Sequence, residues 1–278
     1  MADHVDAAGV RIPSIGLGTF DLLGDECRYA VAEGLRAGYR HVDTAANYHN
    51  EDAVGDGIRA SGVPRGEIFL TTKVWHDQLN DGALQRSAEA SLKRLQVDQV
   101  DLLLIHWPSP DVPIAEAVSA LCAVARAGLA RAIGVSNFTT AMVREAVAAA
   151  DRPLAVNQVE YHPYLDQSKL RAVLAEFSMG LTAYSPLARG VIMDEPVIKA
   201  AAARHGVPPA AIALAWLIRQ DGVIAIPKSR SPERMRESLA ALSVTLGDDE
   251  VAAIDALKRP DGRIIDPAFA PEWDRADA

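Results

Sequence analysis

The chain has 278 residues, 49% of them hydrophobic and 23% charged, which is the balance of a globular protein with a sizeable core. Its formal net charge of −9 and its pI near 5.3 argue against nucleic acid or an anionic membrane as a partner for the surface as a whole. Two cysteines make no disulfide framework, no apolar run reaches the roughly 18 residues of a membrane span, and Met1-Ala2-Asp3-His4 opens no secretory signal, so the cytoplasm is the expected compartment. Nothing in the sequence demands more than a monomer.

Residues 1–14 hold a hairpin turn signal at Ala8-Gly9. Eight short apolar runs follow, at 15–18, 40–43, 68–73, 100–105, 132–135, 154–158, 181–184 and 223–226. Continuous apolar runs of this length suit parallel strands covered on both faces. Between them lie helical patterns. Leu84, Ala88, Ser91, Leu92 and Leu95 share one face after an Asn80-Asp81 start signal, and Met235, Leu239 and Leu242 do so after Ser231-Pro232-Glu233, a cap with proline at the first helical position. Cys27 and Cys122 fall in such helical segments and read as buried thiols, and Trp216 reads as core. Strand–helix alternation repeated eight times predicts an α/β fold, a single (β/α)8 TIM barrel over residues 1–278 with a short N-terminal hairpin and an irregular tail from 258. An open doubly wound sheet would carry a Gly-x-Gly-x-x-Gly turn, and Gly16-x-Gly18 lacks the third glycine.

Active sites of such barrels lie at the C-terminal ends of the strands. There the second run ends in Asp43 with Tyr48 just behind it, the third ends in Lys73, and the fourth runs into His106. Taken singly, Asp43 is an ordinary helix cap, Lys73 a surface lysine, Tyr48 loop packing and His106 a satisfied core histidine. At three consecutive strand ends they form a set. A free phenol has a pKa near 10, and an ammonium about 4 Å away stabilises its anion by roughly 4 kcal/mol at an effective dielectric near 20, about three pKa units at most. Asp43 would keep the lysine charged and in place, and His106 would donate a hydrogen bond to a substrate oxygen. The set polarises and protonates a carbonyl but contains no nucleophile, which points to an external one such as a hydride.

A second constellation is Ile226-Pro227-Lys228-Ser229-Arg230-Ser231-Pro232-Glu233-Arg234. With Ser231 as cap, Arg234 falls in the first helical turn, where a cation opposes the helix dipole unless a bound anion reverses the sign. Lys228, Ser229 and Arg234 around a helix N-terminus make an anion site, as against a solvated charge run balanced by Glu233 and Glu237. Aromatics are only 5% of the chain, yet Phe20, Trp75 and Trp107 follow strand ends and Trp273 lies in the tail, as an apolar substrate pocket would need. Arg189 and Arg263 would favour an anionic substrate.

With these residues in view, the chain resembles the aldo-keto reductase family. The matching stretches are Gly16-Leu17-Gly18-Thr19-Phe20, Gly38 through Ala45 with Tyr48 and Asn50-Glu51, Thr72-Lys73-Val74-Trp75, Leu104-Ile105-His106-Trp107-Pro108, Gly134-Val135-Ser136-Asn137-Phe138, Asn157-Gln158-Val159-Glu160, Ala183-Tyr184-Ser185-Pro186-Leu187 and Ile226-Pro227-Lys228-Ser229. The resemblance implies an NADPH-dependent reductase of small aldehydes, ketones or diketo sugar acids, with Tyr48 protonating the oxygen and Asp43, Lys73 and His106 completing a tetrad. It implies no resident metal. Gly18 and Thr19 match cofactor contacts, Ser136, Asn137 and Gln158 positions that hold the carboxamide, and Tyr184 the residue stacked on the nicotinamide. Ser185 and Leu187 match pyrophosphate and ribose contacts, Lys228, Ser229 and Arg234 the 2′-phosphate site, and Glu237 an adenosine contact.

The chain departs from the pattern at Ser238, where many relatives have asparagine against the adenine, and at Phe20, where many have tryptophan. The short ending through Trp273 is similar to the bacterial diketogluconate-reductase-type branch. The short loop after Tyr184 implies a less enclosed cofactor. A cofactor-sensing interaction protein on the same fold, like the β-subunits of potassium channels, is the first rival. A barrel glycosidase or metal hydrolase is the second, and it lacks a carboxylate partner for Asp43 or a second histidine for His106.

Overall fold

The computed structural model of the protein describes residues 3–274. Its first two strands, His4–Ala7 (β1) and Val10–Pro13 (β2), pair antiparallel across Ala8 and Gly9, both with positive φ (+48° and +77°), as a tight two-residue hairpin turn requires. Eight parallel strands follow: Leu17–Gly18 (β3), His41–Asp43 (β4), Phe69–Val74 (β5), Val100–Ile105 (β6), Ala130–Ser136 (β7), Leu154–Glu160 (β8), Gly180–Tyr184 (β9) and Val223–Ala225 (β10). Each pairs with its neighbour in chain order from β3 to β10. Backbone hydrogen bonds of 2.9 Å from Gly16 N–H to Ala225 O, Ala225 N–H to Ser14 O and Gly18 N–H to Pro227 O join the first strand to the last.

That seam explains Gly16-x-Gly18. A Cβ on Gly18 would lie 2.9 Å from the Ile226 carbonyl oxygen, and one on Gly16 would lie 2.6 Å from the His41 ring. Gly18 lets two backbones meet at the seam, Gly16 leaves room for the His41 ring, and neither opens a doubly wound sheet.

Among the described residues ten α-helices alternate with or follow the strands: Gly24–Ala37 (α1), Glu51–Ser61 (α2), Ala83–Leu95 (α3), Ile114–Arg126 (α4), Thr140–Ala149 (α5), Ser168–Glu176 (α6), Pro196–His205 (α7), Pro209–Ile218 (α8), Pro232–Leu239 (α9) and Asp248–Asp255 (α10). Strand β6 shows how apolar runs build two layers. Leu102 and Leu104 join an inner cluster with Phe69, Ala132, Val156 and Ile224, while Leu103 and Ile105 join the outer cluster shared with the helices. Ile12 of the hairpin belongs to the inner cluster, so β1–β2 plugs the N-terminal end of the barrel and leaves the opposite mouth for chemistry.

The helix faces follow the sequence with two shifts. The buried face of α3 is the expected one, but the helix starts at Ala83, because Gly82 holds φ +76° ahead of it. Helix α9 ends at Leu239, and Leu242 lies in a following 3₁₀ turn, partly exposed. Cys27 and Cys122 are buried free thiols on α1 and α4, and burial pushes the Cys27 thiol up to about 12. Trp216 is core, on a helix buried from Ala210 to Ile218. The described tail after residue 258 contains neither helix nor strand. Among the described residues no helix is long and apolar enough to cross a membrane.

Candidate active site

Strand ends β4, β5 and β6 bring Asp43, Lys73 and His106 to one rim, and a 3₁₀ turn at Ala46–Tyr48 brings Tyr48 over them. Lys73 is fully buried, and its Nζ donates to Asp43 Oδ1 (2.5 Å), to the Thr44 carbonyl oxygen (2.8 Å) and to the Tyr48 hydroxyl (3.2 Å). An ammonium has three protons and no lone pair. All three of its protons are committed, and the Tyr48 hydroxyl, accepting one of them, keeps its own proton to give elsewhere. Asp43 Oδ2 accepts a further bond from Gln158 Nε2 (2.7 Å), so the carboxylate is held from two strands. Asp43 is therefore an ion-pair partner and not a helix cap.

The electrostatics sharpen the expectation for Tyr48 and reverse its net direction. Burial of the phenol is the largest influence and raises its pKa above 10. Lys73 pulls it down by charge and hydrogen bond, but Asp43 stands close enough to offset part of that pull. The phenol is thus fully protonated at neutral pH. For Lys73, burial opposes the charged form, but Asp43 and Tyr48 outweigh it and the ammonium sits above its usual 10.5. His106 is 7% exposed. Burial, then the Lys73 charge, then His76 hold it well below 6.5, so the ring is neutral. Its ring stands edge-on to Tyr48 (centroids 5.5 Å) and to Trp75 (5.0 Å), and its buried Nδ1 has no hydrogen-bond partner among the described residues.

A hydrogen-bonded row continues along the rim. The Tyr184 hydroxyl donates to Asn137 Oδ1 (2.8 Å), Asn137 Nδ2 to the His106 carbonyl oxygen (3.0 Å) and to Ser136 Oγ (3.1 Å), and Ser136 Oγ to the Gln158 carbonyl oxygen (2.7 Å). Asn137 adopts φ +63°, a conformation asparagine tolerates better than most residues. Gly18 pairs with Asp43 in the sheet, and Thr19 donates to the Asp43 carbonyl oxygen through N–H and hydroxyl (3.0 Å each). Half-buried Ser185 and Leu187 sit in a turn where Ser185, Ala188 and Arg189 all carry positive φ, and the Arg189 side chain is exposed.

At the last strand end, Ser231 caps α9 by accepting from Arg234 N–H (3.4 Å). Ser229 Oγ is bonded to the backbone of Ser231. Arg234 is exposed in the first turn and has no ion-pair partner among the described residues. Lys228 Nζ lies 3.5 Å from Asp21 Oδ2, and Arg230, which sequence reasoning passed over, pairs with both Asp21 and Glu26. Glu237 is half-buried. Ser238 is buried, and its hydroxyl proton is spent on the Arg234 carbonyl oxygen (3.0 Å).

The aromatics gather at the mouth. Phe20, though 62% exposed, stands edge-on to Tyr48 with ring centroids 5.2 Å apart. Trp107 lies 6.0 Å from Trp273. Phe269, missed in the sequence, links Trp75 to Trp107, its ring centroid lying 5.7 Å from Trp75, 4.9 Å from His76 and 5.4 Å from Trp107. Its segment has no periodicity, and only the Pro267 and Pro271 that flank it hinted at a fixed path. Arg263 does not point a bare charge at this pocket. Its guanidinium lies over the Trp273 ring at 3.7 Å and 3.8 Å from Glu160.

The profile of the Aldo/keto reductase family matches residues 14–259. The methylglyoxal reductase DkgB of Escherichia coli O157:H7 is 41% identical over 268 residues, which cover 95% of this chain and 100% of that protein. An aldo-keto reductase of Mycobacterium avium (strain 104) is 40% identical over 89% of this chain and 86% of its own. Among solved structures, one assigned as a 2,5-diketo-D-gluconic acid reductase B superposes with TM-score 0.96 at 45% identity, covering 99% of this chain and 98% of the other. A Bombyx mori aldo-keto reductase in complex with NADP superposes with TM-score 0.88 at 34% identity, covering 95% of each chain.

Proposed function

The chain belongs to the aldo/keto reductase family, and on that premise we propose that it is an NADPH-dependent reductase of small carbonyl compounds, 2-ketoaldehydes such as methylglyoxal foremost. The observation that carries this reading is the fully committed Lys73 ammonium beside a protonated Tyr48. A carbonyl oxygen at the Tyr48 hydroxyl receives a hydrogen bond that strengthens as negative charge develops, and then the proton. Lys73, held charged by Asp43, stabilises the phenolate left behind. Neutral His106 orients the oxygen by a second hydrogen bond. Trp75, Trp107 and Phe20 exclude water from the carbonyl, and Trp273 adds a wall that a bulkier apolar substituent would meet.

The residues present fit a phosphorylated dinucleotide. Arg234 stands unpaired among the described residues at the capped N-terminus of α9, a position its charge destabilises until an anion arrives. Lys228, Ser229 and Arg234 would hold the 2′-phosphate, Glu237 and Ser238 would flank the adenosine, and Ser185 and Leu187 the pyrophosphate and ribose. Gly18 and Thr19 would line the cofactor channel, Ser136, Asn137 and Gln158 would take the carboxamide, and Tyr184 would cover the ring. When bound, NADPH supplies the hydride that the carbonyl carbon accepts.

The same reading takes the protein as a single-domain, cytoplasmic monomer with no nucleic-acid or membrane partner, supported by its acidic charge and by a tetrad drawn from one chain. Light scattering checks the oligomeric state. The reading itself is tested by following NADPH oxidation with methylglyoxal, an aromatic aldehyde and a diketo sugar acid. Turnover of methylglyoxal is expected. Tight NADPH binding without turnover of any of them would favour cofactor sensing instead, and failure to bind NADPH would overturn the proposal.

A further inference from the structure

The tail has no secondary structure of its own, yet it crosses the mouth of the barrel along a defined path. Arg259 N–H donates to the Tyr164 carbonyl oxygen (3.1 Å), and its guanidinium lies 4.3 Å over the Tyr164 ring. The next fixed point is Glu160, the last residue of β8. Its carboxylate is fully buried and accepts from two consecutive backbone amides of the tail, Ile264 N–H at 2.7 Å on Oε1 and Ile265 N–H at 2.9 Å on Oε2. His162 Nε2 lies 2.9 Å from Oε1, and Gln167 Nε2 donates to the Glu160 carbonyl oxygen (2.8 Å). Beyond that point Trp273 Nε1 donates to Asp266 (2.8 Å), Arg263 covers the Trp273 ring, and Asp274 accepts from Thr140 N–H and Oγ1 at 2.8 and 2.7 Å. Phe269 and Trp273, which wall the pocket against Trp75 and Trp107, therefore hang between two anchors.

Of the two, the Thr140–Asp274 anchor is exposed and the Glu160 anchor is buried. Water competes for the first and not for the second, and a buried carboxylate cannot leave its donors without cost. Glu160 has no direct hydrogen bond to the tetrad: its carboxylate is spent on the tail and on His162. A buried charge on a barrel strand, with its bonding capacity turned toward an irregular segment, is a device for placing that segment. From this we infer that Glu160 is a positioning residue for the substrate pocket, a latch that holds Phe269 and Trp273 over the mouth and thereby sets how well the enzyme accepts carbonyls with an aromatic or other bulky apolar substituent. Methylglyoxal, which has no bulky substituent for those two rings to wall, is expected to be indifferent to the latch. The inference rests on the carbonyl-reductase reading above and adds to it a residue that does not touch substrate.

The test compares wild type with Glu160→Ala and Glu160→Gln, using NADPH with methylglyoxal and with an aromatic aldehyde. Loss of one aromatic wall is expected to raise KM for the aromatic aldehyde about tenfold in Glu160→Ala. Values of kcat, of KM for methylglyoxal and of the NADPH dissociation constant should stay within about threefold, a span under 1 kcal/mol. Glu160→Gln, whose amide oxygen still accepts, should fall between. A second readout is independent of turnover. The Arg263–Ile264 peptide carries an N–H that Glu160 holds, so brief trypsin treatment should spare it in wild type and release the fragment starting at Ile264 from Glu160→Ala. If Glu160→Ala fails to fold, Ile265→Pro removes one latch donor from the tail side and should show the same split. Equal losses on both substrates, or an Arg263–Ile264 bond as protected in Glu160→Ala as in wild type, would overturn the latch. A wild type that reduces neither substrate would overturn the reductase reading instead.

Discussion

Replacing Lys73 by methionine removes the charge on which the whole rim depends, and its two consequences are separable. Asp43 is 1% exposed and would keep a single side-chain donor, Gln158. Removing one partner of a buried ion pair costs about 3–5 kcal/mol, because the other charge is stranded. Against a total stability of about 5–15 kcal/mol this is a large share, and the unfolding midpoint in urea should fall visibly. For chemistry, Nζ lies 3.2 Å from the Tyr48 oxygen, where a full phenolate charge would be worth about 5 kcal/mol at an effective dielectric of 20. With about half that charge developed in the transition state, kcat should drop roughly a hundredfold. The double variant Asp43→Asn with Lys73→Met leaves no stranded charge, so it should recover most of the stability while staying as slow as the single variant. Urea unfolding and NADPH oxidation on the three proteins decide the matter. A Lys73→Met protein as stable as wild type, or a double variant less stable than the single one, would refute the reasoning.

Lys228→Ala and Arg234→Ala should each weaken NADPH binding about tenfold or more, the value of one charge-assisted contact, and leave NADH binding unchanged, as fluorescence titration would show. Arg263→Ala should leave the relative preference for carboxylate-bearing substrates unaltered in a substrate panel, because that guanidinium is engaged by Trp273 and Glu160. Glu250 stitches α10 to the end of α7. Burial alone would raise its carboxyl, but the hydrogen bond from His205, the Gly247 N–H and Arg204 bring it down to about 2. A depressed folded-state pKa means stability that is complete above pH 4.5 and lost as pH falls toward 2. Glu250→Gln should therefore be less stable at neutral pH and show a flatter pH dependence of the urea midpoint across that window.

The barrel was legible because its strands are buried on both faces, which makes each an unbroken apolar run, and because the polar residues ending those runs mark the rim. Asp43, Lys73 and His106 stand where the chain leaves a strand, so their neighbourhood follows from strand order alone. Arg234 was readable from its position in a capped turn. What stayed hidden depends on distance along the chain or on depth. Ile264 meets Glu160 across 104 residues, and Arg230 meets Asp21 across 209, with no periodic signal at either end. Phe269 lies in a segment whose path is set by that first contact. The net direction at Tyr48 was hidden for a different reason. Lysine proximity is visible in the pattern, but the desolvation that outweighs it is a property of the packed rim. Helix ends moved by a few residues where Gly82 or a 3₁₀ turn at Ala240–Ser243 decided them locally.

The central claim is that Tyr48 gives the proton to a carbonyl oxygen reduced with NADPH, and Tyr48→Phe tests it most directly. The substitution deletes one oxygen from a half-buried ring and leaves the Lys73–Asp43 pair in place. NADPH oxidation with methylglyoxal should fall by about 10²–10⁴, the range for a lost general acid, while NADPH binds with unchanged affinity. A variant that turns over at a rate close to wild type would contradict the account.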